Sequence, residues 1–437
     1  MNITLLNDSF PPLIDGVSNA VYNYADVLTK NGDDITVATP WYPGVTDNYN
    51  FEVVRYNSAN TVRFAGYRAG LPLKASTLSR LTEKKPHIIH SHCPVASTVL
   101  ARALRETANA PIIMTYHTKF DIDIAKLIRL HSLQTTAIKY LCSNISSCDE
   151  VWVVSRGAGE NLRSIGYEGD YIVMENGVDL PRGRVADEKI NAVRNEFSLP
   201  DGVPVFIFVG RLMWYKGIRI ILESLAGLKA EGIDYRMLFI GDGKDREEIQ
   251  ALTEELKIYD KVSFAGAVRD REVLRSFFCT ADLFLFPSTF DTNGLVVREA
   301  AACALPSVLI EGSCAAEGVE DGVTGYLSEE NTRAFTEKLK EILKNRELIK
   351  KVGENAQNNI YISWEDSIMR ARERYEIVYE NYLSNKTVHP RIRSDEFFEL
   401  IGRLQSQVEK IHSKYMEIGA RRKKMEENFT NFIDRYM

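Results

Sequence analysis

Asp291 and Glu299 lie eight positions apart in the segment FPSTFDTNGLVVREAAACALP, with a glycine between them. The apolar run ADLFLFP at 281–287 predicts a strand that is buried on both faces, and VVREAAACA predicts the first turns of a helix. The two carboxylates are therefore expected at the end of a strand and at the start of a helix.

Three residues between these acids, Asn293, Gly294 and Leu295, are expected to open the helix. Free backbone N–H groups and the positive end of the helix dipole favour an anion at such a position. Carboxylates can accept sugar hydroxyls, so their place beside a phosphate site predicts a pocket for a nucleotide sugar. The alternative is an N-capping acid followed by a solvated glutamate in the helix.

A pair of basic residues follows another predicted strand. FIFVGRLMWYKG ends this strand with Arg211 and places Lys216 five residues later. Arginine can bind a diphosphate in a forked geometry, and lysine supplies a mobile point charge. The alternative is two surface cations near a glycine.

The segment GDGKDREEI begins at Gly241, and its glycines would allow a nucleotide to approach the backbone closely. It lacks the Walker pattern and the full dinucleotide fingerprint.

Composition and charge restrict the class of protein. The chain has 437 residues, 45% hydrophobic and 26% charged, which is ordinary for a globular protein of two domains with an appendage. Its net charge of −6 argues against a nucleic-acid partner. The six cysteines lack the spacing of a disulfide framework, which is typical of a reducing cytoplasm. Asp8 precedes any run of signal-peptide length, and no uncharged apolar stretch approaches the length of a membrane span.

Strands and helices alternate along the chain and predict an α/β fold. NITLLN, a helix closed by Gly32 and DITVATP form a first βαβ unit, and the alternation resumes after the polar segment PRGRVADEK. Two doubly wound Rossmann-like domains that face one another across a cleft are expected, with the site beyond the carboxyl ends of the strands. The expected domains are 1–183, completed by a helix at 365–383, and 184–364, followed by a linker and helical tail at 384–437.

The tail has a pattern of its own. Apolar or aromatic residues recur with alternating spacings of four and three, interrupted only by Arg422. This heptad pattern predicts a coiled-coil-like helix over 394–437 and a homo-oligomer, or a helical partner. The seam positions are Phe397, Ile401, Leu404, Val408, Ile411, Tyr415, Ile418, Arg422, Met425, Phe429, Phe432 and Tyr436.

The order of these segments resembles the retaining family 4 glycosyltransferases of the GT-B fold. The resemblance covers roughly residues 1 to 383, and the subgroup it is closest to often acts on lipid acceptors. The segments that carry it are NDSFPPLIDGVS, GLPLKASTL, KPHIIHSHCPV, APIIMTYHTKF, VWVVSRGAGENL, MENGVD, FVGRLMWYKG, IGDG, FAGAV, FPSTFDTNGLVVREAAACALPSV and DGVTGYL.

The resemblance implies a role for each matching residue. Asp291 is expected to hold hydroxyls of the donor sugar and Glu299 those of the ribose, while the amides of Gly294 and Leu295 meet the distal phosphate. Arg211 and Lys216 match the diphosphate clamp. The donor-binding set implied by the match is Gly16, Arg211, Lys216, Gly241, Val268, Asp291, Asn293, Gly294, Leu295 and Glu299.

His117, in TYHT, matches the histidine that contacts the donor sugar near the reacting carbon. The family retains the anomeric configuration, and the departing phosphate is thought to take the acceptor's proton. The implied catalytic set is His117, Asp291, Lys216 and Arg211. The implied donor is a UDP-hexose, with a GDP-hexose as the alternative, and no metal is required.

Two clusters imitate metal sites. His90 and His92 fall on one side of a strand end, but no second ligand pair has suitable spacing, so a zinc site is not predicted. Asp121 and Asp123 are interpreted as loop or helix-start acids.

Three positions depart from the family pattern. Ala304 stands where glycine is usual, and Cys93 replaces a serine. Arg298 stands in place of an apolar residue and is expected to add a charge that faces the donor.

The segment 53–85 is basic within an acidic protein, since Glu83 is its only acid. This predicts peripheral contact with an anionic membrane at the inner face of the cell membrane, and therefore a lipid or cell-envelope glycan acceptor. A solvated surface and a soluble acceptor are the alternatives. A sugar-nucleotide epimerase and a coiled-coil scaffold with a degenerate site are the rival classes. The basic residues are Arg55, Arg63, Arg68, Lys74, Arg80, Lys84 and Lys85.

Overall fold

The structure is a computed structural model that describes residues 1–13, 15–62, 67–128, 130–291 and 293–384. The predicted tail at 394–437 and Arg63 lie outside the described residues. The described chain forms two compact units: unit 1 contains Met1–Trp152, Leu162–Ile172 and the described residues from Arg372 onward, and unit 2 contains Val153–Asn161 and Val173–Ala371. The predicted boundary lies between residues 183 and 184, whereas the units change at Ile172 and Val173.

Unit 1 is built on a seven-stranded sheet with the order β3-β2-β1-β6-β7-β8-β9. Neighbouring strands from β3 to β7 pair in parallel, as the βαβ pattern predicts. A short antiparallel pair, β4 with β5, lies outside this sheet. The strands are β1 Asn2–Leu6, β2 Asp34–Pro40, β3 Glu52–Tyr56, β4 Ser58–Ala59, β5 Ala69–Gly70, β6 Ile88–Ser91, β7 Ile112–Tyr116, β8 Glu150–Val153 and β9 Ile172–Val173.

Two aspartates that follow β1 cap two helices of unit 1. Asp15 caps the first helix, because its Oδ1 accepts from the backbone N–H groups of Val17 at 2.9 Å and Ser18 at 2.7 Å. Asp8 caps another helix through the N–H of Ser97 at 2.7 Å. The helices up to residue 146 are α1 Gly16–Lys30, α2 Ala75–Glu83, α3 Ala96–Ala108, α4 Phe120–Leu127 and α5 His131–Ser146.

Unit 2 has a six-stranded sheet with the order β12-β11-β10-β13-β14-β15, and all its pairs are parallel. Its central strands are apolar on both faces and almost fully buried, as expected for a parallel sheet that is covered on both sides. The strands are β10 Val205–Val209, β11 Arg236–Ile240, β12 Val262–Gly266, β13 Leu283–Phe286, β14 Ser307–Ile310 and β15 Tyr326–Ser328.

From β8 to β13 each strand is followed by one of the remaining helices, which gives the alternating order predicted for a doubly wound fold. The last one runs to the end of the described chain. These helices are α6 Arg156–Ser164, α7 Asp187–Glu196, α8 Ile218–Ala230, α9 Arg246–Glu255, α10 Arg271–Thr280, α11 Leu295–Ala302, α12 Thr332–Leu343, α13 Arg346–Asn359 and α14 Trp364–Leu383.

The helical segment after β7 is interrupted. The sequence near 124–145 predicts a single long helix, and this prediction is wrong, because α4 ends at Leu127 and α5 begins at His131. The backbone is extended at Ile128, with φ −113° and ψ 117°, and at Leu130, with φ −88° and ψ 115°. The side-chain amide of Gln134 donates to the Ile128 carbonyl at 2.7 Å, which stabilises the break.

Candidate functional site

The carboxyl ends of β10, β11 and β13 lie beside one another at one edge of the unit 2 sheet. The loops after β10 and β11 approach closely, since Gly210 N–H donates to the Ile240 carbonyl at 3.0 Å. Gly241 has φ 138°, and a Cβ there would lie 1.9 Å from the Gly210 carbonyl oxygen. Only glycine fits, so the loop that carries Gly241 is held against the loop that carries Arg211.

Lys216 and Asp291 are bonded to each other at this edge. Lys216 Nζ lies 2.6 Å from Asp291 Oδ1 and 2.8 Å from Oδ2, and Lys216 is only 8% exposed. Ser288 Oγ donates to Asp291 Oδ2 at 2.5 Å. The structure therefore brings together the lysine predicted to bind phosphate and the aspartate predicted to bind sugar hydroxyls.

Lys216 ends a short 3-10 helix, Trp214–Lys216, and the next residue fixes its place. Gly217 has φ 74°, and a Cβ there would lie 2.2 Å from the Pro287 carbonyl oxygen. The loop after β10 therefore packs directly on the loop after β13.

Arg211 is exposed, and no hydrogen bond or ion pair joins it to another residue in the described part of the chain. It precedes the 3-10 helix in the same loop as Lys216. Its guanidinium is therefore available for an anionic ligand.

Helix α11 begins at Leu295, directly after Gly294, as predicted. Gly294 has φ 58°, and a Cβ would lie 2.8 Å from Ala315 Cα, so this position requires glycine. Because the cap residue is a glycine, it supplies no side-chain acceptor for the first N–H groups of the helix. Asn293 Nδ2 is buried and has no hydrogen-bond partner among the described residues. The uncapped N–H groups at the start of α11 and the side-chain amide of Asn293 are donors that suit an anion.

Glu299 lies one turn further along α11 and is bonded to a residue that the sequence analysis missed. Arg271 Nη1 lies 3.0 Å from Glu299 Oε1, and Arg271 Nη2 lies 3.1 Å from Asp179 Oδ2. Burial raises the pKa of Glu299, and nearby Asp179 raises it further, while Arg271 opposes the shift. The only sequence signal for Arg271 is its place three residues after Val268.

Val268 lies in the loop between β12 and α10. It is partly buried and packs on the core of unit 2. Asp270 caps α10 by accepting from Glu272 N–H at 2.8 Å and Val273 N–H at 3.0 Å, which fixes the end of this loop. The loop thus has a defined position beyond the carboxyl end of β12, and the contact of Val268 with the donor stays a prediction.

In unit 1, Gly16 is the first residue of α1 and is exposed. A Cβ at Gly16 would meet no atom within 4 Å, so open space lies beside the helix start. Burial lowers the pKa of His117, and the charge of Asp15, the residue before Gly16, opposes this shift.

His117 is the first residue after β7, and its side chain is buried. Its Nε2 lies 2.9 Å from Nδ1 of His92, which is the first residue after the neighbouring strand β6. Burial lowers the pKa of His117 from 6.5 to about 4, so the ring is neutral at pH 7.

His90 belongs to the same buried cluster but has partners for both ring nitrogens. Its Nδ1 lies 2.6 Å from the Tyr375 hydroxyl, and its Nε2 lies 2.7 Å from the Thr115 hydroxyl. Burial lowers the pKa of His90 and of His92 well below the ordinary value. Within the described ranges, no three or more His, Cys, Asp or Glu side chains are grouped to hold a metal ion.

Comparison with known protein families identifies the chain. Residues 14–182 match the model described as Glycosyltransferase Family 4, and residues 189–359 match the model described as Glycosyl transferases group 1. The chain belongs to glycosyltransferase family 4. The predicted family is confirmed, and with it the α/β fold with a parallel sheet in each of two domains. That the two domains face one another across a cleft stays a prediction.

Curated relatives of this glycosyltransferase are distant in sequence but match over much of their length. The chain is 24% identical over 379 residues to the alpha-monoglucosyldiacylglycerol synthase of Acholeplasma laidlawii, covering 82% of this chain and 92% of that protein. It is 27% identical over 335 residues to the GDP-mannose-dependent alpha-mannosyltransferase of Corynebacterium glutamicum, and this match covers 75% of this chain and 76% of that protein. Among solved structures, sucrose-phosphate synthase from Thermosynechococcus elongatus has a TM-score of 0.67 at 21% identity, covering 87% of this chain and 99% of that one, which shows the fold alone.

Arg298 of this glycosyltransferase does not face the donor as expected. It is buried, its Nη1 donates to the Ile360 carbonyl at 3.1 Å, and its Nη2 is bonded to the Glu175 carboxylate. A buried guanidinium needs such partners, so Arg298 stabilises the packing around α11.

The basic segment of the glycosyltransferase is less cationic than its sequence indicates. Arg55 forms two bonds of 2.7 Å with the Asp47 carboxylate, and Glu52 binds both Arg80 and Lys84. These acids lie just before the segment, so a count within 53–85 misses them. Among the described residues, the basic side chains of this segment that have no carboxylate partner are Arg68, Lys74 and Lys85. Arg63 lies outside the described residues.

Exposed apolar side chains lie in the same part of unit 1. Trp41 is 48% exposed, Leu71 55% and Leu73 39%, and the Arg68 guanidinium lies over the Trp41 ring at 5.3 Å. Among the helices in the described part of the chain, none is long and apolar enough to cross a membrane.

Proposed function

We propose that this family 4 glycosyltransferase is a retaining enzyme that transfers a hexose from a nucleotide diphosphate sugar to a hydroxyl acceptor. The donor is a UDP-hexose, with a GDP-hexose as the alternative. The acceptor is a membrane lipid or a cell-envelope glycan precursor, and no metal ion takes part.

The observation that carries this proposal is the set of groups at the carboxyl edge of the unit 2 sheet. Arg211, whose guanidinium has no partner among the described residues, lies in the same loop as Lys216, which is bonded to Asp291. The glycine-capped start of α11 follows Asp291 after two residues. Two cations and a helix start suit a diphosphate, and a carboxylate beside them suits sugar hydroxyls.

The chemistry follows from charge. Breaking the sugar–phosphate bond leaves a negatively charged diphosphate and an oxocarbenium-like sugar, so stabilising the diphosphate is the main task of Arg211 and Lys216. The departing phosphate takes the proton of the acceptor hydroxyl as the new bond forms on the same face of the sugar. His117 is neutral at pH 7 and therefore adds no charge that competes for the phosphate.

The ion pair between Lys216 and Asp291 connects the two halves of the donor site. In this proposal, the diphosphate becomes a second anionic partner of Lys216 while Asp291 accepts hydroxyls of the sugar. When a sugar hydroxyl donates to Asp291, the aspartate compensates less of the positive charge of Lys216. The interaction of Lys216 with the phosphate then becomes stronger. Sugar and phosphate recognition are thus expected to be cooperative.

Two features support a lipid acceptor. The relative from Acholeplasma laidlawii is named as a synthase of a glucosyldiacylglycerol. In unit 1, exposed Leu71 and Leu73 precede exposed Lys74, a combination of apolar and cationic groups that suits the interface of an anionic bilayer.

Donor choice is tested by thermal stabilisation with a panel of nucleotide sugars. A ligand at about a hundred times its dissociation constant adds about 2.7 kcal/mol of stability. UDP-hexoses are expected to stabilise the protein most, and Asp291→Asn is expected to reduce the gain from the sugar more than that from free UDP. A protein that no nucleotide stabilises would contradict the proposal.

The reaction is tested by NMR of the product formed with the selected donor and diacylglycerol vesicles. A retained anomeric configuration, with turnover unchanged by a chelator, is the expected result. Isomerisation of the donor without an acceptor would instead indicate an epimerase. Leu71→Asp is expected to lower turnover on anionic vesicles, with Leu348→Asp, at a 40% exposed leucine of unit 2, as the control.

A further inference from the structure

The hydrogen bond between His92 and His117 fixes where the protons of both rings lie. Their nitrogens are 2.9 Å apart, and both rings are buried, at 1% and 7% exposure. Both are neutral at pH 7, because burial lowers the pKa of each. A hydrogen bond between two neutral imidazoles needs one N–H and one lone pair, so only two proton arrangements exist.

The other nitrogen of His92 distinguishes these arrangements. His92 Nε2 is buried, and no described residue forms a hydrogen bond with it. The rings of His90 and Tyr24 lie against His92, with centroids at 4.0 Å and 5.2 Å. If His117 were the donor, His92 would carry its proton on Nε2 as a buried N–H without an oxygen or nitrogen acceptor, which is rare in folded proteins. If His92 is the donor, the atom without a partner is a lone pair.

We propose that His92 is a positioning residue: its Nδ1–H donates to Nε2 of His117 and holds the proton of His117 on Nδ1. His117 then offers a ligand a hydrogen-bond donor. Its lone pair is occupied by His92, so the ring is not available to take a proton from an acceptor hydroxyl. This consequence rests on the proposed function, in which the departing diphosphate takes that proton.

The supports of the pair explain why it is rigid. His92 N–H donates to the Leu6 carbonyl at 2.8 Å, which ties the residue to β1. The rings of His92 and His117 are nearly parallel, at 25°, with centroids 5.2 Å apart. His90, in contact with His92, is held at both nitrogens by Tyr375 and Thr115. A ring held on these sides can orient its neighbour without touching the substrate.

The proton positions can be read directly in the full chain by long-range ¹H–¹⁵N correlation with labelled histidine. His117 is expected to show a protonated Nδ1 and a lone pair on Nε2, and His92 the same tautomer. Spectra of His117→Asn and His92→Asn assign the signals. A proton on Nε2 of His117 would overturn the proposal. This measurement needs no substrate, so it stands even if the donor or the reaction has been misidentified.

Two substitutions of His92 then test the consequence for transfer. The amide nitrogen of asparagine takes the place of Nδ1, whereas that of glutamine takes the place of Nε2. His92→Asn should therefore keep the donation to His117, and His92→Gln should lose it, with kcat lower by about tenfold relative to His92→Asn. The KM for the donor is expected to change less than kcat.

The matched control is His131→Gln, at an exposed histidine of α5. Near-ultraviolet circular dichroism and the Tm establish that each variant is folded. A purely structural role for His92 would lower kcat equally in the two His92 variants, in proportion to lost stability. Equal kcat values in folded His92→Asn and His92→Gln would overturn the proposal.

Discussion

The bond between Lys216 and Asp291 joins two residues that are 75 positions apart. The side chain of Lys216 is 10% exposed and that of Asp291 is 23% exposed, so water screens the pair only partly. Its electrostatic interaction is therefore stronger than that of a salt bridge on the surface. A ligand that adds negative charge near Lys216 therefore meets a cation that is already held in place. This preorganisation is what a diphosphate leaving group requires.

Lys216→Ala should lower kcat about a hundredfold or more, because one fixed cation at the leaving group is lost. Steady-state rates with a nucleotide sugar and the acceptor measure this. The matched control is Lys229→Ala, since Lys229 forms a similar bond of 2.8 Å with Asp260 but is more exposed. Near-normal turnover in a folded Lys216→Ala protein would remove Lys216 from the site.

His117 gives the glycosyltransferase a stability that depends on pH. The pKa of this ring falls from 6.5 to about 4 on folding, mainly through burial, with Asp15 opposing the shift. Between these values the unfolded chain binds a proton that the folded chain does not. The ring thus destabilises the fold progressively as the pH falls through this window and has no such effect above about 6.5.

At pH 5 the His117 effect amounts to about 2 kcal/mol. Urea unfolding at pH 7 and pH 5 should therefore show a smaller loss of stability on acidification for His117→Asn than for the unaltered protein. His90 and His92 remain in both proteins, so the difference reports the loss of the His117 ring together with its bond to His92 and its effect on the pKa of both rings. His131→Asn, at an exposed position, should behave as the unaltered protein. Equal losses in all three would contradict the burial of a neutral ring.

The elements that carry these side chains were largely predictable, but their pairing was not. Apolar runs predicted the strands β1, β2, β10 and β13, and the glycine before Leu295 predicted the start of α11. Strand order is a different matter. The pairing of β10 with β13 and of β6 with β7 depends on how the whole sheet packs. The residues near each strand therefore do not predict the bond from Lys216 to Asp291 or the bond from His92 to His117.

The end of α11 shows why one family position is usually glycine. Ala304 has φ 56°, and it forms a Schellman motif with α11, because Leu305 N–H donates to the Ala300 carbonyl at 3.1 Å and Ala304 N–H to the Ala301 carbonyl at 2.9 Å. An alanine in the left-handed region is strained by its Cβ.

Ala304→Gly should therefore stabilise the protein by about 1 kcal/mol, since the strain disappears while the hydrogen bonds remain. Urea unfolding measures the change. Ala251→Gly, in the exposed middle of α9, is the control and should destabilise by about 1 kcal/mol. A loss of stability in both variants would show that Ala304 is not strained.

At the scale of the whole molecule, the described chain ends at Ser384, just after α14, and the heptad segment lies beyond it. The family resemblance ends near residue 383, so it does not include the predicted seam. Self-association through residues 394–437 therefore rests on the spacing of apolar residues, which favours a partner helix of the same pattern.

The full chain is expected to be a homo-oligomer, and truncation after Ser384 is expected to give a monomer with the same Tm for the two units. Light scattering coupled to size exclusion, over a range of protein concentrations, measures the mass. A charge in the seam should act like the truncation, so Ile411→Asp is expected to be monomeric as well. Ser413→Asp places the same charge outside the seam and should leave the oligomer intact. A full chain that is monomeric at every concentration would contradict self-association and leave a helical partner as the remaining role of the heptads.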